Sequence, residues 1–253
     1  LERTVQHTEA DGVAVLALNR PHRLNAVAPA LVTDLVAALR AVADSPARAV
    51  LLTGNGRAFC AGHDLKEPVE SGDGQASRLR LEQIQEVTRL IRGLPQPVIA
   101  AVHGYALGAG AEFALGCDLV LAAPDAIFGF PEVSLGLSVT GAASRLLPLL
   151  VGPLKAKELL LLGERVDART ALELGLVNAV TGAGELLPTA MEWARRLAAQ
   201  PAQAMTLAKR ALDRGIDSSV EGALELEVAH ALITDGSADV TAATDGFRRR
   251  ADG

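Results

Sequence analysis

Apolar runs of strand length alternate along this chain with segments in which apolar residues recur every three or four positions. Residues 12–18 (GVAVLAL) read as a strand ending in the turn Asn19-Arg20-Pro21. Leu31, Leu35, Leu39 and Val42 share helical spacing, which predicts a helix over 28–43 that stops before Ser45-Pro46. The run at 49–53 (AVLLT) reads as a buried strand leading into Gly54-Asn55-Gly56. An amphipathic helix over 79–94 follows, then a strand at 97–102, a short helix at 107–116 and a strand at 118–122. Residues 71–77 (SGDGQAS) read as a flexible loop. Strand–helix–strand order of this kind predicts an α/β fold with ligands near the carboxyl ends of the strands.

Beyond Pro148 the pattern becomes mostly helical, with helices expected at 154–162, 168–174, 185–199, 201–215 and 220–232. The last of these carry apolar stripes (Leu207 and Ala211; Leu224, Val228 and Leu232) larger than a small appendage can bury on itself, so an interface is expected. The chain divides on this reading into a core over 1–195 and a helical oligomerisation region over 196–253.

Composition narrows the function. Hydrophobic residues make up 49% and charged residues 21% of the 253, which excludes a disordered chain. The net charge of −6 and 3% aromatics argue against nucleic-acid binding. The longest apolar stretches are broken by glycines, Glu112 and Asp118, so neither is a membrane span. The first residues lack the apolar stretch of a signal peptide, and Cys60 and Cys117 form no CxxC pair, so a reduced, cytoplasmic protein is expected.

The chemistry concentrates in residues 97–123, PVIAAVHGYALGAGAEFALGCDLVLAA. A strand running into glycines and then a helix start presents unpaired N–H groups suited to a developing oxyanion. Gly108, Ala109 and Gly110 leave room for a carbonyl to approach the backbone. Glu112 follows among Ala111, Phe113, Ala114 and Leu115, where desolvation raises a carboxyl pKa toward that of a general acid or base. Its bland counterpart is a glutamate balancing its own helix dipole. Glu132, after Phe130-Pro131, stands at a loop entrance; alone it reads as solvated, but paired with Glu112 it suits acid–base work on a shared water. Residues 56–66 (GRAFCAGHDLK) offer small residues, Ala61 and Gly62, where a further backbone N–H can point at a ligand, but read alone they favour a plain turn. Cys60 reads as a small core residue, His63 as a partly exposed structural residue or a base, and His103 as a polar cap. No G-x-S-x-G, GxxxxGK[ST] or HExxH motif occurs.

Four pieces in order, Phe59-Cys60-Ala61-Gly62-His63-Asp64-Leu65, residues 97–112, Cys117-Asp118 and Phe128-Gly129-Phe130-Pro131-Glu132, make the chain resemble the enoyl-CoA hydratase/isomerase (crotonase) family along nearly its whole length. The resemblance implies a crotonase-like spiral of β-β-α units with a C-terminal helical trimerisation region, assembled as a homotrimer or a dimer of trimers. It implies an acyl-CoA thioester substrate whose carbonyl is held by two backbone N–H groups, which fall by position on Ala61 and Ala109. The two hydratase glutamates fall on Glu112 and Glu132. Gly62, His63, Asp64, Leu65, Gly108 and Thr140 are the implied substrate contacts, and Arg57, His63, Lys66 and Arg248–Arg250 are candidates for the CoA phosphates. No metal or other cofactor is implied, since coenzyme A is part of the substrate. The expected reaction is hydration of an enoyl-CoA to a 3-hydroxyacyl-CoA. An isomerase, hydrolase or lyase of the same type, or a non-catalytic acyl-CoA-binding member, are the alternatives. The chain departs from the family's I-P-G-A-G-G loop, carrying Ser138-Val139-Thr140-Gly141-Ala142-Ala143 instead, and has His63 where many hydratases have Ala or Gly.

Overall fold

The computed structural model describes residues 3–67 and 74–251. Strand β1 (Val5–Ala10) pairs antiparallel with β2 (Val13–Leu18) across the tight turn Asp11-Gly12. Helix α1 (Pro29–Ala43) then buries Leu31, Val32, Leu35, Leu39 and Val42, the stripe its spacing predicts. Strand β3 (Ala49–Gly54) lies parallel to β2 and is buried throughout. After α2 (Gly74–Gly93) comes β4 (Val98–Val102), parallel to β3. Next are β5 (Tyr105–Leu107), α3 (Ala109–Gly116), β6 (Leu119–Ala122) and β7 (Ile127–Gly129). The remainder is α4 (Ala143–Val151), α5 (Pro153–Leu162), β8 (Arg165–Asp167), α6 (Ala168–Glu173), β9 (Ala179–Val180), α7 (Leu186–Ala198), α8 (Ala202–Gly215), α9 (Val220–Thr234) and α10 (Ala238–Ala251).

The strands form two sheets, a large one in the order β1-β2-β3-β4-β6-β9 and a small one in the order β5-β7-β8. Each of β4 and β6 in the large sheet is followed at once by a strand of the small one, β5 or β7, and the chain then turns into helix. That alternation is the expected spiral of β-β-α units, with helices closing the C-terminal end. The central strands are continuous apolar runs because both their faces are covered. Leu16, Leu18, Leu52 and Val102 face α1, α2 and α3, whereas Val13, Leu51, Ile99 and Leu121 face Ala190 and Ala194 of α7. Among the described residues no helix is long and apolar enough to cross a membrane.

Four elements depart from the sequence expectations. Strand β1 has five exposed residues out of six and is held by pairing to β2 rather than by an apolar face. Leu107, expected to open a helix, instead ends the strand β5, because a short apolar run fits either state until tertiary pairing decides. Helix α4 forms in spite of Pro148 within it, and α10 forms in a polar segment. Of the loop expected at 71–77, residues 74–77 are the first turn of α2, and residues 71–73 lie outside the described residues.

Helix α8 is tied to the core by a buried cation. Lys209 Nζ pairs with Asp118 at 2.8 Å and donates to the carbonyls of Ile91 and Gln96.

Candidate active site

The loop 19–27 is folded around buried Asn25, which accepts from the Arg20 N–H and donates to the carbonyls of Asn55 and Ala58. This fixes one rail beside which residues 59–64 run; the other rail is β5. Cys60 bridges to β5, donating to the Tyr105 carbonyl and accepting from the Leu107 N–H. His63 bridges to Val27, but through its neighbours: Val27 donates to the Gly62 carbonyl and Asp64 donates to the Val27 carbonyl. In a parallel bridge of this kind the central residue's own N–H points away from the partner strand.

That geometry corrects one sequence expectation. The Ala61 N–H donates to the Leu24 carbonyl at 3.0 Å, so it is not open to a ligand. The His63 N–H, two residues on, has no acceptor among the described residues and is the open donor of this turn. The second expected donor is open: Ala109 is the first residue of α3, where an N–H has no intrahelical acceptor. The residues preceding the two donors touch, since a Cβ on Gly62 would lie 3.7 Å from Gly108 Cα. Sequence reasoning missed His63 in this role because a main-chain donor carries no side-chain signature.

Glu112 and Glu132 are both buried. Glu112 stands in the first turn of α3. The Thr140 N–H donates to its Oε1 at 2.6 Å and the Thr140 hydroxyl to its Oε2 at 2.5 Å. Burial raises its pKa, and the two Thr140 bonds oppose that rise. The Thr140 loop is in turn held by Gln85 of α2, whose Oε1 accepts the Gly141 N–H. Gly141 has φ +56°, and a Cβ there would meet Glu112 Cβ at 2.6 Å.

Glu132 precedes the single-turn helix Val133–Leu135 that follows β7. Its Oε2 is buried without a hydrogen-bond partner among the described residues. Burial first, and the nearby charge of Glu112 second, push its pKa up to about 7, against the opposing pull of its own backbone N–H. Its Oε1 lies over Gly108, whose φ is +50°, and a Cβ there would come within 2.8 Å of that oxygen. These residues therefore bring together two open N–H donors and two buried carboxyl groups, one of them poised to carry a proton near neutrality.

The other expected contacts divide. Gly62 and Gly108 are buried beside the donors, and Thr140 sits on Glu112. Asp64 is corrected from a substrate contact to a structural anchor. Burial alone would raise its pKa, but the Lys66 N–H and the Arg20 guanidinium, 3.0 Å away, lower it and engage both its oxygens. Leu65, Arg57 and Lys66 are exposed, and the side chains of Arg248–Arg250 lie outside the described part. Burial pushes the Cys60 thiol up to about 12, consistent with an inert core residue. His103 Nε2 contacts the Gly56 carbonyl at 3.1 Å and braces a turn. No group of three or more His, Cys, Asp or Glu residues suited to a metal ion occurs among the described residues.

Known proteins resemble the chain over the whole of this framework. A family model described as enoyl-CoA hydratase/isomerase matches residues 8–251. A crotonyl-CoA hydratase of Syntrophomonas wolfei is 38% identical over 85% of this chain and 83% of its own length. A 1,2-epoxyphenylacetyl-CoA isomerase of Escherichia coli is 37% identical over 98% of this chain and 95% of its own. The crystal structure of an enoyl-CoA hydratase from Bacillus anthracis covers 98% of this chain and 96% of its own, with a TM-score of 0.93 and 33% identity.

Proposed function

We propose that this chain, which belongs to the enoyl-CoA hydratase/isomerase family, is a hydratase adding water across the 2,3 double bond of an enoyl-CoA thioester to give a 3-hydroxyacyl-CoA. The observation that carries the reading is the pair of buried carboxyl groups at the start of α3, Glu112 in its first turn and Glu132 with Oε1 over Gly108. One glutamate takes a proton from water as the water oxygen bonds to C3, and the other delivers a proton to C2. Negative charge gathers meanwhile on the thioester oxygen, which the His63 and Ala109 N–H groups hold; each such donor contributes about 3–4 kcal/mol. Water and proton transfer of this kind calls on no cofactor beyond the CoA carried by the substrate. Gly62, Gly108 and Leu65 border the thioester in this reading, and Arg57, His63 and Lys66 face the CoA phosphates.

Loss of the enoyl-thioester absorbance of crotonyl-CoA tests the proposal. Rapid loss with the wild type, abolished in Glu132→Gln, is the expected result. A stable absorbance with tight CoA-thioester binding would favour the second reading, a double-bond isomerase, which rests on the family's description as enoyl-CoA hydratase/isomerase. Under that reading one glutamate moves a proton between carbons, and the other substitution is nearly silent.

The assembly belongs to the same proposal: residues 196–253 form the oligomerisation region of a cytoplasmic homotrimer or dimer of trimers built on the core 1–195. Its support is α9, which buries no residue in the single chain and leaves Val220, Leu224, Val228 and Leu232 exposed at four-residue spacing. Sedimentation of the full chain reads the copy number directly; a monomer at micromolar concentration would contradict it.

A further inference from the structure

We infer that Thr140 is a positioning residue rather than a substrate contact: with one donor on each oxygen of Glu112 it holds that glutamate as the ionised partner and leaves the exchangeable proton on Glu132. The assignment deepens the hydratase reading and rests on it for its catalytic consequence.

The asymmetry between the two carboxyl groups is geometric. Both oxygens of Glu112 accept from Thr140, one from the main chain and one from the hydroxyl. The hydroxyl has no other acceptor among the described residues. Hydrogen bonds donated to a carboxylate favour its charged form. Glu132 has less support: its own main-chain N–H is its one donor, its Oε2 is buried and unpartnered among the described residues, and a buried carboxyl short of donors prefers to keep its proton. The hydroxyl contact arises in the loop 138–143, where the chain departs from the family pattern, and a glycine there would supply the N–H alone.

The surrounding charges leave this asymmetry intact. Glu132, in the turn after β7, is near enough to Glu112 that a charge on either favours the proton on the other, which is symmetric and selects neither. Beneath α3 the Cys60 thiol is neutral. On the α2 side Gln85 is uncharged, while Arg89 and Arg92 are paired with Glu82 and Asp213. Arg145 of α4 is paired with Asp217. Among these neighbours, Thr140 is what separates the two glutamates.

The test titrates the carboxyl NMR signals of isotope-labelled glutamates in the free protein, assigned with Glu112→Gln and Glu132→Gln, for the wild type, Thr140→Ala and Thr140→Ser. Glu112 is expected to ionise at lower pH than Glu132 in the wild type. Its midpoint should move up by about one pH unit in Thr140→Ala, as loss of a hydrogen bond to the charged form requires, and return in Thr140→Ser. In turnover of crotonyl-CoA, Thr140→Ala should lower kcat by about tenfold with KM changed less than about threefold, and the acidic limb of the rate profile should move to higher pH.

A wild-type Glu112 that ionises at or above Glu132 overturns the inference, and this measurement stands even if Thr140→Ala does not fold. A midpoint unmoved in Thr140→Ala, or a raised KM with unchanged kcat, overturns it too, the latter by making Thr140 a substrate contact. If the titrations behave as expected but the wild type does not hydrate, the hydratase reading fails and the positioning stands. Reversed titration with intact hydration means the opposite.

Discussion

Glu112, in the first turn of α3, has a donor on each oxygen, whereas Glu132, after β7, has a buried oxygen with no partner among the described residues. The supports behind them differ in the same sense. Glu112 sits on a helix whose neighbouring loop is pinned by Thr140, Gly141 and Gln85. Glu132 precedes a single-turn helix, Val133–Leu135, that is exposed together with Gly136, Leu137 and Ser138. Identical functional groups thus acquire different proton affinities from their hydrogen-bond supply. Burial alone would have raised both.

Removing either carboxylate is the largest perturbation of this contrast. Glu112→Gln and Glu132→Gln should each lower turnover of crotonyl-CoA by about 10²- to 10⁴-fold, the usual range for a general acid or base. Equal melting temperatures would show that the loss is chemical.

The two glycines that abut the carboxylates perturb them separately. Alanine at Gly141 drives a Cβ against Glu112 Cβ at 2.6 Å in a left-handed backbone, so both stability and activity should fall, stability by about 1–3 kcal/mol. Alanine at Gly108 is likewise strained by its φ of +50°, but its Cβ presses on Glu132 Oε1, the free end of a side chain that moves aside, so stability falls through the backbone and turnover falls through the displaced carboxylate. Chemical denaturation alongside turnover separates the two patterns.

A pH scan of stability sharpens the contrast further. A carboxyl raised from 4.5 to about 7 keeps its proton in the folded chain while the unfolded chain releases it. Between those values the native state binds more protons, so raising the pH through this window should reduce stability. The slope should weaken in Glu132→Gln, read from melting temperature against pH.

The smallest effect is expected from Gln85→Ala, which strips the acceptor from the Gly141 N–H. A loss of about 1 kcal/mol, with a few-fold lower kcat, is the expected outcome of denaturation and turnover measurements.

Much of this site is legible in the sequence, for physical reasons that also mark the boundary. Glu112 stands out because a charge inside an apolar helix demands a function, and α1 and β3 follow from unambiguous periodicity. The donor opposite Ala109 is not legible in the same way. Ala61 and His63 each have an N–H, and only the carbonyl of Leu24, brought across by the loop around Asn25, determines which is left open. Asp64 reads as polar and available, yet Arg20, 44 positions earlier in the chain, claims it. Strand β1 and helix α10 lack periodic apolar faces, so their existence depends on partners that local patterning does not encode.

The central claim, that the paired glutamates direct water onto an enoyl thioester, is tested most directly by turnover of crotonyl-CoA in heavy-oxygen water followed by mass spectrometry of the product. The account predicts a 3-hydroxybutyryl-CoA carrying one heavy oxygen at C3, formed by the wild type and not by Glu132→Gln. Recovery of crotonyl-CoA unchanged, or of an isomer of the same mass without label, would contradict it.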